Sequence, residues 1–439
     1  MKAAADKVLK DAVSKGDVPG VTAAATDAKG TTYEAGFGKR VLGEAADMTP
    51  DTVGWIASMT KAITGAAAMQ LVERGKLKLD APAKEVAPQL GDVAVLDGFD
   101  AAGKPKTRKA KRDITLRHLL THTAGFGYDI WSPEVGKYME AMEVPGVISC
   151  QNKALTTPLL FDPGERWFYG INIDWAGKMV EAASGKKLGQ YMHDNILGPL
   201  GMDSTAFKIT DSMRKRLAKI HHRGADGALQ PDTALELPQE PEFEMGGGGL
   251  YSTAGDYLKF VRMMLNQGKS DKGEAVLKPA TVAEMSKNAM GDLKVCALPT
   301  AAPPFSLDAE FFPGMDKQWG LSFMINNEEA PTGRSPGSLA WAGLANTYYW
   351  IDQKKGVGGV YVTQVLPFAD VKSLPLFYDL RGWFAVQGLD PRGLHSCDIG
   401  PAVGVPFQGQ THNALDDARS VAAAMAKMAG GRGAFRPAA

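Results

Sequence analysis

The chain has no excess of either charge. Of its 439 residues, 49 are basic and 49 acidic, giving a formal net charge of zero. A dedicated nucleic-acid binder needs a basic surface, so this balance argues against that class. No apolar run approaches the ~20 residues that cross a bilayer as a helix, so no membrane span is expected. The opening residues, Met1-Lys2-Ala3-Ala4-Ala5-Asp6-Lys7, lack the apolar core of a secretion signal, and a cytoplasmic location is expected. The three cysteines, Cys150, Cys296 and Cys397, are odd in number, far apart and without Cys-x-x-Cys spacing. Free thiols are expected, rather than a disulfide framework or a zinc site. With 44% apolar and 22% charged residues, the chain is long enough for one large domain or two, with ample core.

One stretch organises the rest: Trp55-Ile56-Ala57-Ser58-Met59-Thr60-Lys61, followed by a helix-forming segment that stops at Gly75. Residues three apart on a helix lie on one face, so Lys61 is expected beside the Ser58 hydroxyl. The hydroxyl then sits at a helix N-terminus, where unpaired N–H groups favour developing negative charge. A serine, an adjacent amine and an electropositive backbone are the parts of acyl transfer. Ser-x-x-Lys also occurs at Ser184/Lys187 and Ser212/Lys215. Ser184 precedes a Gly-Lys-Lys helix end, and Ser212 lies in a charged surface stretch. Only Ser58 has both an apolar lead-in and a long helix behind it.

Along the chain, a helix over about 3 to 15 leads to a hairpin, with strands at 21–26 and 31–36. Residues 76 to about 245 read as mostly helical and loop-like, with helices at 175–184 and 188–196. The four glycines at 246–249 form a hinge-like return before a helix at 254–266. Strands are expected over 320–325, 339–351 and 358–365, where aromatic and β-branched residues concentrate, and a helix over about 371–386 closes this part. The expected class is α/β (α+β). One α/β domain is drawn from both chain ends (1–75 and 246–392), a mainly helical domain (76–245) is inserted, and a Gly/Pro-rich tail (393–439) holds one helix at 416–428.

Other motifs have to be weighed. Tyr169 follows a Pro163-Gly164 turn and precedes a helix, a placement that could project it into a cleft. Gly343 lies in a strand with Trp341 and Ala342, and a strand glycine often marks close approach of a ligand or backbone. Gly333-Arg334-Ser335-Pro336-Gly337 matches Gly-x-Ser-x-Gly, which works only as a strand-to-helix elbow. Pro336 and the strand that follows make it a loop. His118 and His122 have no acid between them and read as a packed helix end, and His221-His222 has no ligand partners, so no metal site is expected. The basic run Lys104, Lys106, Arg108, Lys109, Lys111 and Arg112 reads as a solvated loop.

Taken together, these segments resemble the serine β-lactamase/penicillin-binding-protein superfamily, specifically the family VIII carboxylesterases that look like class C β-lactamases. The matching landmarks are Val18-Pro19-Gly20, Ser58-Met59-Thr60-Lys61, Leu119-Leu120-Thr121-His122-Thr123-Ala124-Gly125, Tyr169, Gly248-Gly249-Leu250 and Trp341-Ala342-Gly343, in family order. The resemblance implies a β-lactamase-like fold, with an antiparallel central sheet flanked by helices. It implies Ser58 as nucleophile and Lys61 as the neighbouring amine, with Tyr169 in proton transfer. It also implies an oxyanion hole from the N–H groups of Ser58 and Leu344, with Trp341, Ala342 and Gly343 lining the substrate site. Which of Lys61 and Tyr169 acts as base stays open.

Two departures from the lactamase pattern matter. There is no Tyr-x-Asn, since Asn172 falls one place late, and Trp341 stands where lactamases carry the lysine of Lys-Thr-Gly. An aromatic wall in place of that cation suits a neutral ester better than an anionic penicillin. The expected function is therefore a serine carboxylesterase acting on short-chain acyl esters. A β-lactamase or an amide hydrolase is the alternative. No cofactor or metal is expected, and the only partner expected is a small-molecule ester. In the tail, Thr411-His412-Asn413-Ala414-Leu415-Asp416-Asp417 resembles the last motif of DEDD-type exonucleases. No upstream acidic pair accompanies it, so a fused or vestigial fragment is expected.

Overall fold

The computed structural model describes residues 2–386, within which Leu9–Ala385 form one compact unit. The tail motif at His412 and Asp416, and the helix expected over 416–428, lie outside the described residues. Seven antiparallel strands make the central sheet: β1 (Gly20–Asp27), β2 (Thr31–Gly38), β3 (Lys317–Trp319), β4 (Met324–Asn326), β5 (Leu339–Gly343), β6 (Thr347–Asp352) and β7 (Val357–Val362). Their order is β2-β1-β7-β6-β5-β4-β3. The early hairpin thus meets the late strands where β1 pairs with β7, in register Thr22↔Val362. The helices that matter here are α1 (Lys2–Ser14), α2 (Thr60–Glu73), α3 (Asn172–Ser184), α4 (Ala254–Leu265) and α5 (Ser373–Val386).

Alternation along β6 shows why both faces of the sheet are covered. Tyr348 and Trp350 point to one face and Tyr349 to the other, as a period of two requires. Phe377 of α5 stacks on Tyr348 at 4.6 Å and meets Trp350 and Tyr361. On the opposite face Tyr257 of α4 meets Tyr349 at 5.1 Å. Two adjacent glycines on β7 serve the two faces separately. A Cβ at Gly358 would lie 2.4 Å from Val261 of α4, and one at Gly359 would lie 2.1 Å from the Trp350 ring.

Every residue of α2 from Thr60 to Leu71 is buried, so that stretch, all but the last two residues of the helix, has no solvent face. A helix apolar all round belongs in the interior, and the run Ala62-Ile63-Thr64-Gly65-Ala66-Ala67-Ala68 is small enough to let its neighbours close in. At Gly65 the approach is tightest: a Cβ there would sit 2.5 Å from Ser322 Oγ.

Several strand boundaries differ from those expected. Of the strand expected over 320–325 only the end forms, in β4, because the chain turns between β3 and β4. Gly320 passes within 2.3 Å (to a notional Cβ) of the Met285 carbonyl, and Ser322 takes a left-handed φ of 77° while its N–H bonds the Leu120 carbonyl. These distant contacts override the local β preference of Leu321-Ser322-Phe323. The span 339–351 is likewise two strands, β5 and β6, turned through Asn346 at φ 54°. The stretch after β7 leaves the central sheet: Val365–Leu366 pairs with Ile220–Arg223 in a separate three-stranded sheet. The basic run is no simple loop either. Ala94–Phe99 and Pro105–Lys109 form a hairpin, and Arg108 makes a two-pronged bond, 3.0 and 2.8 Å, to the Asp162 carboxylate. Among the described residues no helix is long and apolar enough to cross a membrane.

Candidate active site

The turn that carries Ser58 is held from three sides. The short strand Gly54–Trp55 pairs with Tyr251–Ser252, and the Ile56 N–H bonds the Leu250 carbonyl at 3.1 Å. The Thr347 hydroxyl at the start of β6 donates to the Ile56 carbonyl at 3.2 Å. From β5, Gly343 lies so close that a Cβ would stand 2.2 Å from that same carbonyl. Ala57 then takes a left-handed φ of 43°, a conformation disfavoured for a residue with a Cβ and kept only where surroundings enforce it. A 3-10 turn over Ala57–Met59 follows and runs into α2. Ser58 is left half-exposed in an otherwise buried run.

Lys61, one turn into the structure, is fully buried. Its Nζ reaches three acceptors: Ser58 Oγ at 3.0 Å, Tyr128 Oη at 3.1 Å and the Gly247 carbonyl at 2.6 Å. Three acceptors satisfy an ammonium. They also suit a neutral amine, because the Ser58 hydroxyl can reverse its bond and donate to the nitrogen lone pair. Burial pulls the proton affinity of Lys61 down to about 7, against an opposing pull from the Asp174 carboxylate. Both forms are therefore accessible near neutrality.

Tyr169 comes in from the loop before α3. The neighbouring Phe168 N–H bonds the His122 carbonyl at 2.9 Å, and Gly170 lies against Phe126, with room for no Cβ. The ring is buried between Tyr128 (5.3 Å), Trp131 (5.4 Å), His122 (4.6 Å) and Trp341 (5.0 Å). Trp341 Nε1 donates to Tyr169 Oη at 2.8 Å. Burial holds the phenol far above its ordinary range, while bonds with Ser58 and Trp341 pull the other way. Lys61 Nζ lies over the ring face at 4.7 Å. Tyr169 therefore meets Lys61 through its ring, and Ser58 and Trp341 through its oxygen.

The residues expected in the site converge. Ser58, Lys61, Tyr169 and Trp341 share one hydrogen-bonded cluster. Gly343 abuts the Ser58 turn, Ala342 is buried in β5, and Leu344 begins the turn that follows, half-buried. Trp341 differs from the plain apolar wall expected of it, since its indole N–H is engaged with the tyrosine. Three further residues of the cluster escaped the sequence reading. Tyr128 completes the Lys61 shell, Gly247 supplies the carbonyl, and buried Asp174 accepts the Gly247 N–H at 2.8 Å. Only the glycine run around Gly247 left a visible signal.

The competing motifs lie elsewhere. Ser335 is buried in a turn, where its N–H bonds Asp352 and its carbonyl accepts from Asn326 and Ser338. Ser184 ends α3, and Ser212 and Lys215 are exposed. His118 accepts the Thr115 N–H at 3.2 Å in a capping box, whereas His122 meets Asn172 at 3.0 Å. Asn172 is thus turned to a histidine.

A family model described as Beta-lactamase matches residues 5–380. The chain is 33% identical over 407 residues to the monacolin J acid methylbutanoyltransferase of Aspergillus terreus, covering 87% of this chain and 95% of that one. It is 33% identical over 380 residues to the lovastatin esterase of Penicillium rubens, covering 82% and 93%. Among solved structures, unliganded simvastatin synthase (LovD) from Aspergillus terreus superposes with a TM-score of 0.77 at 30% identity, over 89% of this chain and 99% of that one.

Proposed function

The chain belongs to the β-lactamase family and is an enzyme of its serine hydrolase class; from that premise we propose that it cleaves short-chain carboxylic esters through an acyl-enzyme on Ser58. The observation that carries the choice of esters is the Trp341–Tyr169 hydrogen bond. It gives the tyrosine a neutral donor at the position where the resemblance to lactamases would put a cation for a substrate carboxylate. The similarity to a lovastatin esterase supports ester cleavage as well.

In the proposed reaction the Ser58 hydroxyl gives its proton to the neutral amine of Lys61 as its oxygen attacks the ester carbonyl. The backbone N–H groups of Ser58 and Leu344 would hold the oxyanion. The C–O bond to the alcohol then breaks, and the leaving oxygen takes a proton from the Tyr169/Lys61 side. Water, activated by the same groups, releases the acid and restores Ser58. The raised proton affinity of Tyr169 suits it to donate, and the lowered one of Lys61 suits it to accept. All proton transfers are drawn from side chains, so the scheme calls for neither metal nor cofactor, and a cytoplasmic small-molecule ester is the proposed partner.

The test is hydrolysis of 4-nitrophenyl butyrate by the wild type, S58A and S335A, with mass spectrometry of the acyl-enzyme. Loss in S58A alone is expected; full activity in S58A, or loss only in S335A, would sink the assignment. The β-lactamase alternative would prevail if kcat/KM for nitrocefin greatly exceeded that for the butyrate. A second reading, acyl transfer to an alcohol, is favoured by the methylbutanoyltransferase relative. Adding alcohol acceptors to the butyrate assay distinguishes it, because a transferase forms the new ester faster than the free acid.

A further inference from the structure

Asp174 lies in the first turn of α3 and is fully buried. Its Oδ1 accepts the Gly247 N–H at 2.8 Å, and the carbonyl of that same glycine accepts Lys61 Nζ at 2.6 Å. The neighbouring Gly246 carbonyl accepts from Thr64 Oγ1 at 2.7 Å, which ties the glycine run to α2 one turn beyond the lysine. A Cβ at 247 would stand 2.4 Å from Asp174 Oδ2 and would push the carboxylate away. The second oxygen has the Tyr128 hydroxyl as a polar neighbour, a contact that lowers the proton affinity of the carboxyl.

An asparagine could accept the Gly247 N–H equally well without placing a charge in the interior. Burying a carboxylate away from water is costly unless a cation compensates. Among the described residues the cation that acts on the carboxylate is Lys61. We propose that Asp174 is a positioning residue for Lys61: through Gly247 it fixes the amine against Ser58, and through its charge it sets how readily the amine holds its proton. This role rests on the acyl-enzyme reading of Ser58 and Lys61.

The other titratable groups facing the pair do not supply the charge. Tyr128 and Tyr169 are held protonated by burial, His122 is held neutral by burial, and Cys150 is pushed up to about 12. The carboxyl itself is raised to about 6 by burial, with Lys61 pulling it down.

The experiment compares wild type, D174N and G247A in pH profiles of kcat/KM for 4-nitrophenyl butyrate, with folding checked by near-ultraviolet circular dichroism. Removing the carboxylate charge makes Lys61 easier to deprotonate. D174N should therefore move the acid limb at least about one pH unit lower, cut kcat about tenfold and leave KM within about twofold. G247A retains the carboxylate but drives it from the backbone, and should shift the limb in the same direction. It decides the matter if D174N does not fold. A folded variant with an unmoved limb and near-wild-type kcat overturns the role of Asp174. An acyl phosphonate adduct on Ser58 of the wild type separates the two readings. Without the adduct the acyl-enzyme reading falls and this role with it; with it, an unmoved limb removes the Asp174 role alone.

Discussion

Trp341 donates its indole N–H to the hydroxyl oxygen of Tyr169 across 2.8 Å, between the middle of β5 and the loop before α3, 172 residues apart in sequence. Both rings are buried, and Phe311 and Trp319 lie against the indole at 5.5 and 4.6 Å. The donor direction is thus fixed by packing, and the tyrosine oxygen has one lone pair committed before any substrate arrives.

Replacing Trp341 by Phe keeps an aromatic surface and removes the donor. A net hydrogen bond of about 1–2 kcal/mol corresponds to roughly a 5- to 30-fold loss of kcat on 4-nitrophenyl butyrate. KM should move little, and a kcat within twofold of wild type would show that the bond is only structural.

The activity should depend on pH through Lys61. Its folded-state value is lowered to about 7, first by burial and against the pull of Asp174, and in the proposed reaction the neutral amine is the working form. The rate should rise with pH through about 7 and level off above it, so kcat/KM at pH 6 falls to roughly a tenth of the plateau. Tyr169, held far above its ordinary range, should add no fall below pH 10. A profile already flat from pH 5 would contradict this.

Gly343→Ala should injure catalysis more than stability. The added Cβ would meet the Ile56 carbonyl and Thr347 Oγ1, each at 2.2 Å, and push β5 away from the serine turn. Overpacking of this kind costs about 1–3 kcal/mol, readable as a lower Tm. Misplacement of the proposed oxyanion donors, the N–H groups of Ser58 and Leu344, by even about 1 Å should lower kcat roughly 100-fold.

His118 supplies a pH-dependent part of stability. Its folded-state value is lowered to about 4, by burial first and by Arg112 next, and Nδ1 must stay unprotonated to accept the Thr115 N–H. The stabilisation is present above pH 6.5 and is lost as pH falls towards 4. Allowing for partial exposure, it amounts to about 1–2 kcal/mol. In H118Q the drop in Tm between pH 7.5 and pH 5 should be smaller than in the wild type.

The serine and lysine were legible because a helix sets their spacing locally, whatever surrounds it. Tyr169 and Trp341 became legible only through their order along the chain, which the resemblance supplied. Tyr128, Asp174 and Gly247 were not legible. Their contacts to Lys61 or to one another join positions 67 to 186 residues apart, or act through backbone atoms, which carry no residue-type signal. The misread strands have the same origin. Local preference favoured β through Ser322 and Asn346, and tertiary hydrogen bonds turned the chain at both. In the basic hairpin the error ran the other way, because the charges masked a partner, Asp162, far along the chain.

The absence of a solvent face over residues 60–71 of α2 ties the fate of the reaction to that of the whole molecule. Ser58 and Lys61 stand at the head of a helix that cannot loosen without opening the interior. Many enzymes lose activity on warming well before they unfold, through a loop that frays first. Here the working pair has no such weak margin, so inactivation and global melting should share one temperature. Catalysis would then be as durable as the fold, and no more forgiving.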